Sequence, residues 1–262
     1  MVVNGATNKI LVYASSGKLI SSNFGNRLFN KRFQRPAFIV EVTDKRVAVF
    51  DKWDNSVKKL SWSEDLIASF RVSLETHSMT SNMYGHLITS HDADNKMRLV
   101  TIRCSDNGYV LHSIVYKPDP NGGLRCPFYN AYIETGYLYT LDQSACTISL
   151  HTIDGEKVKT LGKRGFMVGH LNNPTGVCLD IKRNAVIADS RNDRIVRYNI
   201  MDDNTSCQVI VSDVRRPLGV SIDASNNLVV LTAQSLMIFL YDIRRPERPR
   251  DVLLDLNAAA VT

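Results

Sequence analysis

One spacing recurs along this chain of 262 residues and constrains its fold more than any other feature. Pro174 precedes Asp189 by fifteen residues, and Asp189 precedes Ile195 by six. Short apolar runs separated by polar turns lie between these positions, as is typical of antiparallel strands. The spacing returns three more times, at Pro36, Asp51 and Val57, at Pro127, Asp142 and Ile148, and at Pro217, Thr232 and Ile238. A sheet of about 40 residues cannot bury both of its faces alone, so the recurrence predicts small sheets packed on one another.

A fifth unit, residues 84–117, fits this repeat spacing less well. Its apolar runs lie at 86–90, 97–102 and 109–116, and we assign them to the first three strands of the unit. Cys104 then stands at the acidic position, and no proline precedes the first run. The fourth strand has no clear signal, because a stretch rich in proline and glycine follows.

The two ends of the chain complete a sixth unit. Residues 2–10 align without a gap with residues 187–195, so the first strand of that unit is missing at the N-terminus. The small side chains of 257–262 suit this strand, and pairing the two ends would remove exposed sheet edges. We therefore predict an all-β fold, a six-bladed β-propeller closed by its N- and C-terminal strands in one blade. The chain, 1–262, is then a single domain with blades at about 1–30 plus 257–262, 31–75, 76–122, 123–162, 163–212 and 213–256.

Composition is that of an ordinary globular domain, with 44% hydrophobic and 22% charged residues. The five cysteines are scattered without a C-x-x-C pair, which favours free thiols in a reducing setting over disulfides or zinc. No apolar run approaches the length of a membrane span, and the start lacks a signal-peptide pattern. We expect a cytoplasmic, monomeric domain without a membrane partner or a cofactor. The net charge of +6 permits an anionic partner.

Two segments resemble the NHL repeat. Residues 188–195 read ADSRNDRI, a close match to the Asp-Ser-x-Asn-x-Arg-Ile pattern of that repeat, and residues 50–57 read FDKWDNSV, a looser match. The resemblance extends over nearly the whole chain and implies six blades. With the basic charge, the chain looks most like the C-terminal NHL domain of TRIM-NHL proteins, without their RING, B-box and coiled-coil parts. The family implies binding of single-stranded RNA, often uridine-rich, repressor proteins as partners, and repression or destabilisation of messages.

Basic residues concentrate on one side of the predicted blades. Where strands alternate in direction, the loops between blades and those joining second to third strands share one face. By our assignment this face has a surplus of basic residues, and the opposite face has a slight surplus of acidic ones. Arginine suits planar phosphate contacts and base stacking. The basic residues that we assign to an RNA-binding site are Lys31, Arg32, Arg35, Lys52, Arg103, Arg125, Lys163, Arg164, Arg191, Arg215 and Arg216.

Aromatic and amide side chains lie among these basic residues. Proteins bind single strands by stacking bases on aromatic rings beside a basic groove. Phe33 and Phe166 either stack on bases or plug between blades, and a surface role is favoured for Trp53 because it lies in a turn. The candidate site is completed by Phe33, Trp53, Phe166, His170, Asn172 and Asn192, with the amides as readers of base edges. A second basic cluster, 244–250, falls on the opposite face as a secondary site.

We expect no catalytic residue and no metal site. Propellers that hold a metal in a central channel need inward His, Asp or Glu residues at the start of their first strands, and these strands offer almost none. The six histidines follow no metal-binding spacing, and no Gly-x-Ser-x-Gly motif is present. Because Asn4, Cys104 and Thr232 replace the acidic residue in three units, we assign that residue to turn stabilisation.

The leading hypothesis is therefore sequence-selective binding of single-stranded RNA by the basic face, as a module of a repressor of translation or of message stability. The alternative is a protein-interaction platform. Such a platform would bring partners or substrates to a ubiquitin ligase whose RING domain lies elsewhere in the protein. The two hypotheses differ in the expected effect of salt, because binding to phosphates weakens steeply as salt rises.

Overall fold

The computed structural model describes the backbone of most of the chain. The described residues are 1–4, 7–14, 16, 18–25, 33–42, 45–72, 76–82, 84–93, 97–103, 109–116, 127–133, 136–152, 154, 156–201, 206–223, 225–233, 235–240 and 250–255. Side chains are described for these residues except 4, 92–93, 97–103, 111–116, 127–133, 235–236, 238–240 and 250–255. The chain divides into two compact units, Met1–Lys117 and Pro118–Thr262.

The first unit contains three antiparallel sheets, in which each strand pairs with the next one along the chain. Sheet 1 consists of β1 (Val2–Asn4), β2 (Lys9–Tyr13) and β3 (Leu19–Ser21). Sheet 2 consists of β4 (Pro36–Val42), β5 (Arg46–Asp51), β6 (Ser56–Ser61) and β7 (Leu66–Arg71). Sheet 3 consists of β8 (Thr76–Ser81), β9 (Leu87–Ala93), β10 (Met97–Arg103) and β11 (Val110–Tyr116).

The second unit also contains three antiparallel sheets with the same order of strands. Sheet 4 consists of β12 (Pro127–Ile133), β13 (Tyr137–Asp142), β14 (Thr147–Thr152) and β15 (Lys157–Leu161). Sheet 5 consists of β16 (Pro174–Leu179), β17 (Ala185–Asp189), β18 (Arg194–Asn199) and β19 (Ser206–Val211). Sheet 6 consists of β20 (Gly219–Ile222), β21 (Leu228–Leu231), β22 (Ser235–Leu240) and β23 (Arg250–Asp255).

Helical structure among the described residues is limited to one 3-10 turn, Ser190–Asn192, directly after β17. None of the described residues belongs to a helix with the length and apolarity that a membrane crossing requires. The expectation of an all-β chain is therefore confirmed for the part that the structure describes.

A middle sheet buries both of its faces against its neighbours. Along β17, Ala185 and Ile187 pack with residues of sheet 4, whereas Val186 and Ala188 pack with residues of sheet 6. In the first unit, β5 divides its alternating residues in the same way between sheet 1 and sheet 3. A strand covered on both faces needs apolar residues at every position, which is why these strands read as unbroken apolar runs.

The repeat spacing corresponds to one structural feature at the start of the first strands. Pro36 pairs with Asp51, and the register then shifts because the next pair joins Phe38 to Phe50. The same bulge follows two other prolines, Pro127 and Pro174. Proline has no N–H for a ladder, so it is tolerated at the first residue of a strand or at a bulge. The interval of fifteen residues is thus the sequence distance between the two paired residues, because the first and second strands form one hairpin.

Our assignment of the unit at 84–117 is wrong by one strand. Sheet 3 begins with β8, where Thr76 pairs with His91 and the same bulge follows. Met97 opens β10, so the intervals from Thr76 to His91 and on to Met97 are again fifteen and six residues. The run at 86–90 therefore belongs to the second strand, and β11 is the fourth strand. Threonine and histidine replace the proline and the aspartate that mark the repeat elsewhere, which hid the register.

The N-terminal sheet has the register that its alignment with sheet 5 predicts. Val3 pairs with Ile10, as Ala188 pairs with Ile195. β1 and β2 thus correspond to the second and third strands of the other sheets. Residues 257–262, assigned by sequence to the missing first strand, lie outside the described residues, so the closure of the chain stays a prediction.

Gly176 lets two first strands of the second unit approach closely. A Cβ atom at this position would lie 3.0 Å from the Cα of Gly219 and 3.3 Å from the backbone nitrogen of Val220, both in β20. Backbone atoms cannot move aside as the end of a flexible side chain can. We predict that Gly176→Ala lowers the free energy of unfolding by about 1–3 kcal/mol, because it overpacks this contact. Urea unfolding followed by circular dichroism measures the change.

Gly219→Ala is the matched control for this prediction. A Cβ atom at Gly219 would meet nothing closer than the Cβ of Leu231, at 4.0 Å. The replacement should leave the free energy of unfolding unchanged, or raise it slightly by restricting the unfolded chain. Equal unfolding midpoints for the two variants would show that the close approach of the strands does not limit their packing.

Candidate nucleic-acid interface

Three segments of the second unit meet at one end of sheet 5. They are the loop 162–173 before β16, the turn 190–193 between β17 and β18, and the loop 212–218 after β19. The antiparallel order of the strands brings all three to the same end of the sheet. Backbone hydrogen bonds join the turn to each of the two loops. We call these three segments together the loop surface.

The buried carboxylate of Asp189 holds the loop surface together. Asp189 ends β17 and is fully buried. Its Oδ1 accepts a hydrogen bond from the Asn172 N–H at 2.6 Å, and its Oδ2 accepts from Asn192 Nδ2 at 2.7 Å and Arg194 Nε at 2.8 Å. This matches the turn-stabilising role expected from sequence. The role also extends to the loop before the sheet, because Asn172 belongs to that loop.

The guanidinium of Arg194 fixes the shape of loop 162–173. The side chain is buried, and its Nε forms an ion pair with Asp189. The other two nitrogens donate to three backbone carbonyls of the loop, each at 2.9 Å: those of Phe166, Met167 and His170. Charge-assisted hydrogen bonds from a planar fork are strong and directional. The loop is therefore held through its main chain at Phe166, Met167 and His170.

Three exposed apolar side chains stand at the end of this loop. Phe166, Met167 and Val168 are 77%, 61% and 61% exposed, and we call them the apolar tip. The His170 N–H donates to the Met167 carbonyl at 3.0 Å and closes the tip as a tight turn. Gly169 supplies the positive φ of 83° that this turn requires. Of the two expectations for Phe166, the structure shows a surface side chain and not a plug between sheets.

The loop surface carries more exposed basic than acidic residues. The exposed basic residues are Lys163, Arg164, Arg191, Arg215 and Arg216. The exposed acidic residues of the loop surface are two, Asp193 and Asp213. Arg164 Nη2 donates to the carbonyl of Ser144 at 3.0 Å, which links the surface to the neighbouring turn of sheet 4. These five predicted site residues therefore lie on segments that are joined to one another.

The predicted polar site residues differ in their availability. Asn192 Nδ2 donates to the Gly165 carbonyl at 2.8 Å and to Asp189 Oδ2 at 2.7 Å, so the amide donors are used inside the protein. The expectation that this NH₂ group reads base edges is wrong, because it positions the loop instead. His170 and Asn172 are partly exposed. The His170 ring lies against Gly165, where a Cβ atom would not fit.

In the first unit, Asp51 has the place that Asp189 has in the second. Asp51 ends β5, is fully buried, and forms an ion pair with Lys58 Nζ at 3.2 Å. Its oxygens accept from three backbone N–H groups at 2.8, 2.8 and 3.0 Å, those of Gln34, Arg35 and Trp53. Three predicted site residues are exposed on the segments that this carboxylate joins: Arg35, Lys52 and Trp53. The Trp53 side chain is 67% exposed, as stacking on a base requires.

Phe33 does not belong to a surface site. Its side chain is 2% exposed and packs in a core cluster with Ile10, Phe24 and Leu60. The ring lies so close to Gly25 that a Cβ atom there would be 2.7 Å from Phe33 Cε2. A buried ring cannot stack on a base, so the assignment of Phe33 to an RNA-binding site is wrong.

Four members of the candidate site stay predictions of position. Lys31, Arg32 and Arg125 lie outside the described residues. Arg103 ends β10, and its side chain lies outside the described part of the structure. Of the basic cluster at 244–250, only the backbone of Arg250, at the start of β23, is described.

Met167 and Val168, which complete the apolar tip, were not among the residues predicted for the site. Both follow Phe166 in the segment GFMVG, and the flanking glycines were the available signal of an exposed turn. The supporting role of Arg194 was not predicted either. The NHL-like motif contains this arginine, but its partners are main-chain carbonyls more than twenty residues away. Side-chain identity in the sequence does not reveal such partners.

Metal-binding clusters and cysteine thiols are the groups that could support metal or covalent chemistry in the described residues. The described residues contain no group of three or more His, Cys, Asp or Glu side chains that could hold a metal ion. Burial, with a smaller contribution from Asp180, raises the pKa of the Cys178 thiol. Burial also raises the pKa of the Cys207 thiol. A thiol that stays protonated at neutral pH is a poor nucleophile, so neither cysteine is placed for nucleophilic chemistry.

Arg194→Gln tests the internal support of the loop surface. The change leaves the buried Asp189 without its charged partner and removes the fork that holds three carbonyls. We predict that it lowers the free energy of unfolding by about 3 kcal/mol or more, the usual result of breaking a buried pair. Arg191→Gln is the control: it removes an exposed arginine of the same turn and should change stability by less than about 0.5 kcal/mol. Equal urea midpoints for the two variants would contradict a supporting role for Arg194.

Comparison with known proteins identifies the fold but not a family. The sequence matches no family model. It also matches no curated protein.

Solved structures, in contrast, resemble this chain. A catalytically inactive variant of virginiamycin B lyase from Staphylococcus aureus, solved with quinupristin, has a TM-score of 0.62 at 13% identity, over 96% of this chain and 78% of its own. A chain of the nidogen–laminin complex has a TM-score of 0.63 at 16% identity, over 86% and 81%. A protein of unknown function from Bacteroides caccae has a TM-score of 0.64 at 10% identity, over 97% and 88%. The likeness shows a β-propeller-type fold, and at these identities it bears on no activity.

Proposed function

We propose that this chain is a six-bladed NHL propeller, closed by its two ends, that binds single-stranded RNA through its loop surface. In this proposal it is the sequence-selective module of a protein that represses translation or message stability, and it performs no catalysis itself. The preference for uridine-rich RNA comes from the resemblance to TRIM-NHL domains. A β-propeller-type fold is compatible with all of these features.

One observation carries the proposal: the imbalance of charge on the loop surface. The loop surface has five exposed basic residues and two exposed acidic ones. The carboxylate of Asp189 adds no uncompensated negative charge, because it is buried and paired with Arg194. Four of the five basic residues are arginines, which bind phosphates through a planar fork and also stack on bases. A surface of this kind attracts the backbone of a nucleic acid.

The exposed ring of Phe166 explains why a single strand suits this surface better than a duplex. The bases of a single strand are free to stack on aromatic rings, at about 1–3 kcal/mol per base. The loop that presents Phe166 is held in place by Arg194 before any ligand binds, so little conformational entropy is lost on binding. In the first unit, the exposed Trp53 beside Arg35 and Lys52 offers a second place for stacking.

A protein-interaction platform is the second candidate, and the rest of the apolar tip favours it. Met167 and Val168 are aliphatic side chains that cannot stack on a base as a ring does. Leu218, on the loop after β19, is 44% exposed and adds to the apolar area of the loop surface. Exposed apolar residues with a polar rim are common where proteins bind one another. Binding of this kind would depend little on salt.

The double variant Arg164→Ala with Arg215→Ala tests RNA binding. It should remove most binding of a uridine-rich oligonucleotide while the protein stays folded. Each phosphate contact with a single strand contributes about 0.7 to the slope of log affinity against log salt concentration, so the slope should fall by about 1.4. Fluorescence anisotropy at several salt concentrations measures both effects.

A charge-matched control is available at the opposite end of sheets 4 and 5. Lys157→Ala with Lys182→Ala removes the same two positive charges from exposed positions outside the loop surface. This variant should bind the oligonucleotide nearly as the wild type does. If the arginine variant also binds as the wild type does, the loop surface is not the RNA site. If the wild type binds no RNA but binds a protein partner with an affinity that changes little with salt concentration, the protein-interaction platform is favoured.

Deletion of residues 257–262 tests closure of the propeller. Under the proposal these residues form the first strand of sheet 1, and their loss exposes the edge of β1. The melting temperature should fall by several degrees, or the chain should aggregate. Asn257→Ala, which keeps the length of the strand, should melt as the wild type does. An unchanged melting profile of the deletion variant would refute pairing of the two ends.

A further inference from the structure

Arg216 has a backbone conformation that its residue type disfavours. Its φ is 43°, in the left-handed region where residues other than glycine, asparagine and aspartate are uncommon. The next residue is Pro217, and a proline favours an extended conformation at the residue before it. Residues in such conformations persist only where the surrounding structure enforces them, and they concentrate at functional sites. The contacts of Arg216 should therefore show what enforces this conformation.

Asp193, in the turn 190–193, holds Arg216 through the side chain and the loop 212–218 through the main chain as well. The Oδ1 atom of Asp193 accepts a hydrogen bond from the Arg216 N–H at 2.8 Å. The carbonyl of Asp193 accepts a hydrogen bond from the Val214 N–H at 2.9 Å. Asp193 itself has a φ of 51°, which aspartate adopts more readily than most residues. One residue of the turn thus bonds to two residues of the loop.

The loop 212–218 is anchored on both sides of its two arginines. Val214 is 2% exposed and packs in the core cluster between sheets 5 and 6. Pro217 is buried, and its carbonyl accepts a hydrogen bond from Thr175 Oγ1 at 2.7 Å. The side chains of the two arginines between these anchors are exposed. Two buried anchors therefore fix the ends of this short segment, and the Asp193 carboxylate fixes the main chain between them.

We propose that Asp193 is a positioning residue of the loop surface, whose carboxylate holds Arg216 in the conformation in which its guanidinium binds a phosphate of the RNA backbone. This inference rests on the proposed function. It assigns Arg216 to the phosphodiester backbone of the strand and leaves the bases to the exposed rings. A side chain whose main chain is ordered in advance loses less conformational entropy on binding. An acidic residue thereby promotes the binding of an anion, against the effect of its own charge.

Two substitutions of Asp193 separate its hydrogen bond from its charge. Asp193→Asn and Asp193→Gly remove the same negative charge, and both new residue types accept a positive φ. Only asparagine keeps a side-chain oxygen that can accept from the Arg216 N–H. If Asp193 acted only by repelling RNA, both variants would bind equally well, and better than the wild type. The proposed role requires asparagine to raise the affinity and glycine to lower it.

Fluorescence anisotropy with a uridine-rich oligonucleotide, at several salt concentrations, measures these affinities. Asp193→Asn should bind about threefold more tightly than the wild type, because an exposed charge acts weakly in salt. Asp193→Gly should bind about tenfold more weakly than Asp193→Asn, as expected for the loss of a hydrogen bond to a charged group. Its salt slope should fall by about 0.7, the share of one phosphate contact. Asp213→Asn is the charge control: it removes the other exposed acidic residue of the loop surface and should also bind about threefold more tightly than the wild type.

Arg216→Gly tests whether Asp193 acts through Arg216. Glycine adopts a positive φ without steric cost, so this variant should melt no lower than the wild type. It should bind the oligonucleotide about tenfold more weakly, because the phosphate contact is lost. In this background, Asp193→Asn and Asp193→Gly should bind equally, because the arginine that the carboxylate positions is absent. All variants are compared at one temperature at which their melting curves show folded protein.

The outcomes distinguish a failure of this role from a failure of the proposed function. Equal affinities of Asp193→Asn and Asp193→Gly, in a chain whose wild type binds the oligonucleotide, would overturn the positioning role and leave RNA binding standing. A difference between them that persists in the Arg216→Gly background would also overturn it, because Asp193 would then act elsewhere. A wild type that binds no oligonucleotide would overturn the proposed function, and this role with it.

Discussion

In sheets 2 and 5, a buried carboxylate at the end of the second strand holds together the loops at that end of the sheet. A charge removed from water is tolerated only if it is paired and hydrogen-bonded. Asp189 meets this condition with one arginine and two further donors, and Asp51 meets it with one lysine and three backbone N–H groups. In both cases the donors come from the loop before the sheet, from the turn after the aspartate and from the third strand. Satisfying one charge therefore fixes two segments that are distant in the sequence.

Much of the fold was predictable because it is periodic. The proline, the aspartate and the start of the third strand keep their spacing, and the strands of sheets 2, 4 and 5 lie where that spacing predicts. The prediction failed in sheet 3, where Thr76 and His91 occupy the same structural positions without the same residue types. Geometry is preserved there by pairing and by a bulge, and neither of these has a fixed residue signature. Sequence periodicity finds a repeat through its landmark residues, and it misses a repeat that has lost them.

The candidate site was predictable in its charges and not in its internal contacts. Exposed arginines such as Arg191 and Arg215 lie where loop positions predicted them, because turns at the ends of strands face solvent. Phe33 was misplaced because a ring next to a strand can turn inward or outward, and packing decides which. Asn192 was misread because its partners are a main-chain carbonyl and a buried carboxylate. Only folding brings those partners together.

Arg194 stabilises the conformation of its loop through hydrogen bonds to backbone carbonyls. This conformation therefore depends little on which side chains the apolar tip exposes. Since the guanidinium bonds to the main chain of this loop, substitutions at the three positions of the apolar tip should leave these bonds intact. Such a loop can exchange one recognition surface for another without passing through a misfolded form. Related chains with the same buried pair can therefore differ freely in what they bind, and the tip is where that divergence is least costly to the fold.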